Sequence, residues 1–209
     1  MKKLDYFVKK DPRIKKVYNY AKEKYNKANL VQHNWAHVLR DLYRALVIAE
    51  EELGVNYSVL IPAVILHDIG VTEGKYSEHA KKGSVIVKRD LSKLGYCMEE
   101  IEKIAKAVLL HRSKEKIDFL EAQILFDADR LEKSGIAGIA YSYRSQLEMG
   151  KTLLEWVFPR RYKNKDFYTK KAREISGKGF DEMDKHFEEV KKSFKKRKDW
   201  IITEKDLWE

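Results

Sequence analysis

Six histidines occur in this 209-residue chain, and five of them, His33, His37, His67, His79 and His111, fall in its first 111 residues. Imidazole and carboxylate together are donors for divalent transition metals. The acidic residues that accompany the histidines therefore matter: Asp68 beside His67, and Asp127 and Asp129 in the segment FDADRL. His67-Asp68 ends the apolar run PAVILHD and precedes Ile-Gly. Neighbouring residues on an α-helix project about 100° apart. The pair can address one ion only if the helix ends or distorts there, which Gly70 permits.

The other histidines read less directly. His111 closes the stripe Ile101, Ile104, Val108, His111, on the buried face of a helix near its C-terminus; a lone histidine so placed is ordinarily a satisfied core residue. His37 lies beside Val38 on the core-facing side of its helix. His33, one turn earlier, shares a face with Arg40 and Arg44 and suits a hydrogen-bonded core position or a substrate contact equally.

Helices must carry these residues, because the apolar spacing is helical almost throughout. Val31, Trp35, Val38, Leu39, Leu42, Leu46, Ala49 and Leu53 form one stripe, stopped by Gly54. A second, buried helix is expected from about Ser58 to Asp68, followed by the loop VTEGKYS. Ser77 reads as the N-cap of a third helix ending near Leu94-Gly95, and a fourth spans about Glu99 to His111. Asp118 with Glu121 resembles a capping box opening the helix that carries FDADRL. A helix over Ile136–Glu148 follows, and two more lie beyond Pro159, roughly at 165–176 and 180–200. Ten Gly, three Pro and scarce strand-type alternation fit an all-α chain of roughly eight to ten helices.

The ordered set His37 in HVLRD, His67-Asp68 in LHDIG and Asp129 in ADRL resembles the HD-domain metal-dependent phosphohydrolase superfamily. The resemblance covers about residues 28–150 and is nearest to single-domain bacterial and archaeal members with a His-x-Trp-x-His start and an Asp-Ala-Asp-Arg-Leu segment. It implies a single-domain helical bundle over residues 1–209, with the metal-site core at about 28–150 and a C-terminal helical extension at about 151–209. His37, His67, Asp68 and Asp129 become the metal ligands. The family context selects Asp129 over Asp127, leaving Asp127 to orient a ligand or a basic residue.

The resemblance implies hydrolysis of a phosphate ester or anhydride by a metal-activated water, with a nucleotide as the substrate class. Mn, Fe, Ni, Co or Zn are the expected ions, with Mg also admissible. His79 and His111 either contact substrate phosphate and protonate the leaving group around one ion, or complete a second metal site with Asp68 bridging; the single-ion reading is preferred. Glu73 is expected to orient the attacking water. His33, Arg40, Lys75, Arg112 and Arg130 are candidate substrate contacts, with Lys114 a further cation nearby. Tyr141, Tyr143 and Trp156 suit base stacking or, more ordinarily, the core. Some binuclear superfamily members are iron oxygenases, so a di-iron oxygenase is one alternative. A nucleotide- or nucleic-acid-binding module is another.

Lys and Arg number 43 against 33 Asp and Glu, a formal net charge of +10. The excess lies largely in the N-terminal Lys pairs and in residues 151–198, away from the His/Asp cluster. KKSFKKRK at 191–198 falls on an amphipathic helix with Phe187, Val190 and Phe194, so a solvated face is the simpler account and a nucleic-acid partner is not expected. The mixed Lys/Glu surface also suits a heat-adapted protein. One cysteine, Cys97, forms no internal disulfide. No apolar run matches a signal segment or a membrane span. A soluble, cytoplasmic protein is expected.

Overall fold

The apolar run at 59–66 forms the centre of the molecule. Every residue from Val59 to Leu66 is buried, as a helix with apolar residues on all sides requires. In the computed structural model this helix, α4 (Tyr57–Leu66), is surrounded by α2 (Arg13–Ala28), α3 (Trp35–Ala49), α6 (Met98–Leu110) and α7 (Leu120–Leu131). The structure describes residues 2–74, 76–113, 115–148 and 163–196. Among them are ten α-helices, joined by turns and short 3₁₀ segments, and no strand. The all-α class read from the sequence is the class observed.

The remaining helices pack around this centre. Helix α1 (Leu4–Lys10) leans on α2. Helix α5 (His79–Asp90) lies along α6 and over the 3₁₀ turn Ile69–Thr72. Helix α8 (Gly135–Glu148) pairs with α10 (Gly179–Lys196), while the short α9 (Lys170–Ser176) packs on α7. No helix among the described residues is long and apolar enough to cross a membrane.

Several boundaries differ from the sequence reading, each for a local reason. Helix α3 starts at Trp35 rather than Val31, because the Asn34 side chain accepts from His37 N at 3.1 Å and caps it. It ends at Ala49, and Gly54, at φ +80°, sits in the turn beyond. Ser77 falls inside a 3₁₀ turn, Tyr76–Glu78, and α5 begins at His79 with no side-chain cap. Asp118 and Glu121 form no capping box. Phe119 is the N-cap of α7, Asp118 pairs with Lys106 at 3.0 Å, and Glu121 accepts from Asn56 N at 2.8 Å. Beyond the 3₁₀ turn Asn164–Asp166, the C-terminal helices occupy 170–176 and 179–196. Residues 197–200 of the expected last helix lie outside the described residues.

Candidate metal centre

The ends of helices supply most of this site. A helix terminus leaves its last carbonyls without intrahelical donors. His67 and His111 are the C-caps of α4 and α6, and each uses Nδ1 to donate to the carbonyl three residues back, Val64 O at 2.8 Å and Val108 O at 2.6 Å. His79, the first residue of α5, donates Nδ1 to Tyr76 O at 2.6 Å. His37, in the first turn of α3, directs Nδ1 to the carboxylate of Glu132. With Nδ1 committed as donor, the lone pair of each neutral ring lies on Nε2. All four Nε2 atoms point into one buried space.

A carboxylate joins them. Asp68 Oδ2 lies 3.2 Å from His37 Nε2 and 3.4 Å from His67 Nε2, while its Oδ1 lies 2.9 Å from His79 Nε2 and 3.4 Å from His111 Nε2. Two donor sets result. His37, Asp41, His67 and Asp129 form one, and Asp68, His79 and His111 the other, with the ligand atoms of each set within 4.8 Å of one another. The Nε2 atoms of His37 and His67 are 3.2 Å apart, and those of His79 and His111 are 3.1 Å apart. Two lone pairs at that distance repel unless a cation or proton lies between them. Ligands about 2.1 Å from one ion stand about 3.0 Å apart at right angles and about 3.4 Å apart at the tetrahedral angle. The donor types, their outer hydrogen bonds and their separations all fit divalent metal ions.

An HD domain model matches residues 34–134, a span that holds both donor sets. These residues form an HD domain. An uncharacterised protein of Clostridium beijerinckii is 32% identical over 132 residues, covering 61% of this chain and 76% of the relative. Among solved structures, a predicted HD superfamily hydrolase from an uncultured Thermotogales bacterium is 22% identical, with TM-score 0.64, over 92% of this chain and 99% of that one. A Lactobacillus plantarum protein superposes with TM-score 0.70 at 18% identity, over 88% and 98% of the two chains. Bacillus subtilis YpgQ in complex with ADP superposes with TM-score 0.60 at 18% identity, over 86% and 97%.

The side chains of the His-Asp pair in this HD domain converge because the helix stops before it. Asp68 leaves helical geometry at φ −102°, ψ 10°, and the 3₁₀ turn follows. Gly70 does not itself end the helix. Its role is close approach: a Cβ there would clash with the His79 carbonyl and come within 2.7 Å of Gly83 N. Gly83 in turn faces Val108, whose Cγ1 would be 3.0 Å from an added Cβ. These two glycines let α5 lie directly on the turn and bring His79 to Asp68.

Electrostatically the HD site is a cation trap. Burial drives the His37 and His67 imidazoles toward neutrality, but the facing carboxylates outweigh it, holding His37 well above its ordinary value and His67 at about 9. Burial raises Asp41 to about 6, against the pull of His37. Burial also opposes charge on Asp68 and Asp129, yet the histidines around Asp68, and Lys133 and Arg130 beside Asp129, hold both carboxyls well below the usual range. His111 is pushed down to about 4, chiefly by burial.

Other residues singled out in the sequence have different placements. The hydrogen bonds of Asp127 go to the chain before α9, and the basic residue near it is Arg130. Asp127 accepts from Tyr168 N at 3.0 Å and from Thr169 N and Oγ1, both at 2.7 Å, tying α7 to that segment. Residues two apart on a helix project about 200° apart, so Asp127 and Asp129 cannot share a face. Glu73 does not reach the ligands: its carboxylate is held by Lys24 and Arg89, which push it down to about 2. Arg130 is buried, and its Nη1 donates to His111 O at 2.7 Å and Phe126 O at 3.2 Å. There it fixes the end of α6, 3.6 Å from Asp129 Oδ2. Arg40 is bound to Glu132.

At the rim, the Arg112 guanidinium lies 4.8 Å over the Tyr76 ring. The buried His33 ring packs on Tyr76 at 4.5 Å and edge-on to His37 at 5.7 Å. Tyr141 is buried 6.0 Å from the His37 ring, whereas Tyr143 bonds His186 at 3.2 Å. Lys75, Lys114 and Trp156 lie outside the described residues. Sequence reasoning missed Asp41, Glu132 and Lys133, whose Nζ is 3.3 Å from Asp129 Oδ1. The available signal was spacing: Asp41 is one turn from His37, and Glu132 and Lys133 are one turn from Asp129.

Proposed function

We propose that this HD domain is a two-metal phosphohydrolase acting on a nucleotide or a related phosphate ester or anhydride. The observation that carries the reading is the division of the Asp68 carboxylate, one oxygen facing each pair of histidines. His37, His67, Asp129 and Asp68 would hold one ion, and Asp68, His79 and His111 the other. Divalent ions at such a centre supply Lewis acidity toward a phosphoryl group and make water acidic enough to serve as nucleophile.

The chain's own residues do the rest. Glu132, backed by Arg40, fixes the His37 ring through Nδ1 and so aims Nε2 inward. Among the described residues, Lys133, which also pairs with Asp129, and Arg112 are cations near the mouth that would meet phosphate oxygens, with His33 beside them as a hydrogen-bonding contact. As ligands, His79 and His111 no longer serve as leaving-group acids. The nucleotide class draws support from ADP bound to the YpgQ neighbour.

The test is metal analysis of the purified protein, then phosphate release from nucleoside mono-, di- and triphosphates with Mn²⁺, Co²⁺, Ni²⁺ and Mg²⁺ in turn. Release from at least one nucleotide, lost in Asp68→Asn, is expected. No release from any of them by fully loaded protein overturns the reading. Turnover that needs iron and consumes O₂ would replace it with an oxygenase.

A further inference from the structure

The two donor sets are chemically unequal. Among the described residues, the set at His79 and His111 holds no carboxylate beyond the shared Asp68, whereas the set at His37 and His67 holds two, Asp129 and Asp41. Asp41 follows His37 by one turn of α3 and is fully buried. Its two oxygens differ in surroundings. Oδ1 accepts from Arg44 Nη1 at 2.8 Å. Oδ2 has no hydrogen-bond partner among the described residues. The nearby ring nitrogens are His37 Nε2 at 3.3 Å and His67 Nε2 at 3.6 Å, both in rings that donate through Nδ1.

A buried carboxylate oxygen without a donor is costly unless a cation meets it. Arg44 also approaches Glu132 Oε1 at 3.8 Å. One guanidinium thus steadies both the carboxylate that aims His37 and the carboxylate of Asp41, and it leaves Oδ2 turned inward.

We propose that Asp41 Oδ2 is a metal ligand, and that it makes the His37–His67 site the carboxylate-rich one, selective for an oxygen-preferring ion such as Mn²⁺. The His79–His111 site is left to an imidazole-preferring ion such as Ni²⁺ or Zn²⁺. The inference rests on the cluster being a metal centre, but not on what the centre hydrolyses.

The experiment is titration of metal-free full-length protein with Mn²⁺, read by the EPR signal of free Mn²⁺ and by calorimetry, then with Ni²⁺. Wild type, Asp41→Asn, Asp41→Ala and Asp68→Asn are compared, with circular dichroism as the folding check. Wild type should bind two ions. Asp41→Asn should weaken the tighter Mn²⁺ site by at least the roughly tenfold to hundredfold that loss of an outer hydrogen-bond partner costs. Ni²⁺ affinity at the other site should change less than about threefold. Circular dichroism of metal-free Asp41→Asn should match that of wild type, so that a change in Mn²⁺ affinity reports the lost carboxylate and not a lost fold. Asp41→Ala should lose Mn²⁺ selectivity in the same way if the amide variant misfolds. Wild-type Mn²⁺ affinity in both Asp41 variants, while Asp68→Asn loses binding, overturns the role of Asp41 alone. A wild-type protein that binds neither ion overturns the metal centre and this assignment together.

Discussion

His79 Nε2 and His111 Nε2 face each other at 3.1 Å, with Nδ1 of each ring already spent on a backbone carbonyl. Only a cation or a shared proton makes that approach favourable. Replacing His111 with Ala should therefore lower bound metal from two ions per chain to one, measured by elemental analysis after dialysis. Chelation of wild type should lower its melting temperature, since a ligand at a hundred times its Kd contributes about 2.7 kcal/mol. Unchanged metal content in His111→Ala would remove the second site.

Gly70→Ala tests the packing that delivers His79. The added methyl meets the His79 carbonyl and Gly83 N, both backbone atoms that cannot swing aside. A cost of about 1–3 kcal/mol or more is expected from overpacking, read by urea unfolding of the metal-free protein. Metal occupancy at the His79–His111 site should fall alongside it. A stable variant with full occupancy would show that α5 can move outward.

Glu73→Gln separates surface electrostatics from catalysis. Arg89 and Lys24 push the Glu73 carboxyl from 4.5 down to about 2. A depressed folded value contributes stability above the unfolded value and loses it as pH falls through the folded one. The difference between wild type and Glu73→Gln should thus be present at pH 7 and shrink between about pH 4.5 and 2. Its size should be about 1 kcal/mol or less, because the pair is partly exposed and screened. Turnover should be unchanged, and a large loss would return Glu73 to the reaction.

The two aspartates of FDADRL should divide cleanly. Asp129→Asn removes a donor that faces His37 and should abolish turnover and weaken metal binding with little loss of fold. Asp127→Ala leaves two backbone N–H groups and a hydroxyl without their acceptor, at roughly 1–3 kcal/mol for each group that stays buried and unpaired. It should lower the unfolding free energy while retaining bound metal. The opposite pattern would exchange their roles.

Much of the candidate centre was legible because its donor residues mark helix ends. His67-Asp68 closes an all-apolar run, and His111 closes an apolar stripe. The interior of α3 was not legible in the same way. Asp41 lies among LRDLYRAL, where an acid between two arginines reads as a solvated helix face, and only the packing of α3 on α7 turns it inward. Arg130 has a structural partner that its sequence context did not suggest. A cation next to a candidate ligand suggests a substrate contact, and in the fold Arg130 is buried and bonded to the carbonyl that ends α6. The Asp118–Glu121 pattern failed for a related reason, since Asn56 N and Lys106 offered tertiary partners that outcompeted the local cap.

Asp127 and Asp129 stand on opposite faces of the same helix, one holding the segment before α9 and the other facing the histidines. A fluctuation that frees the Thr169 tether should relax the helix that carries Asp129, the proposed ligand. The described C-terminal segment should then open together with the centre, and amide protons of Tyr168 and Thr169 should exchange more slowly when metal is bound some distance away.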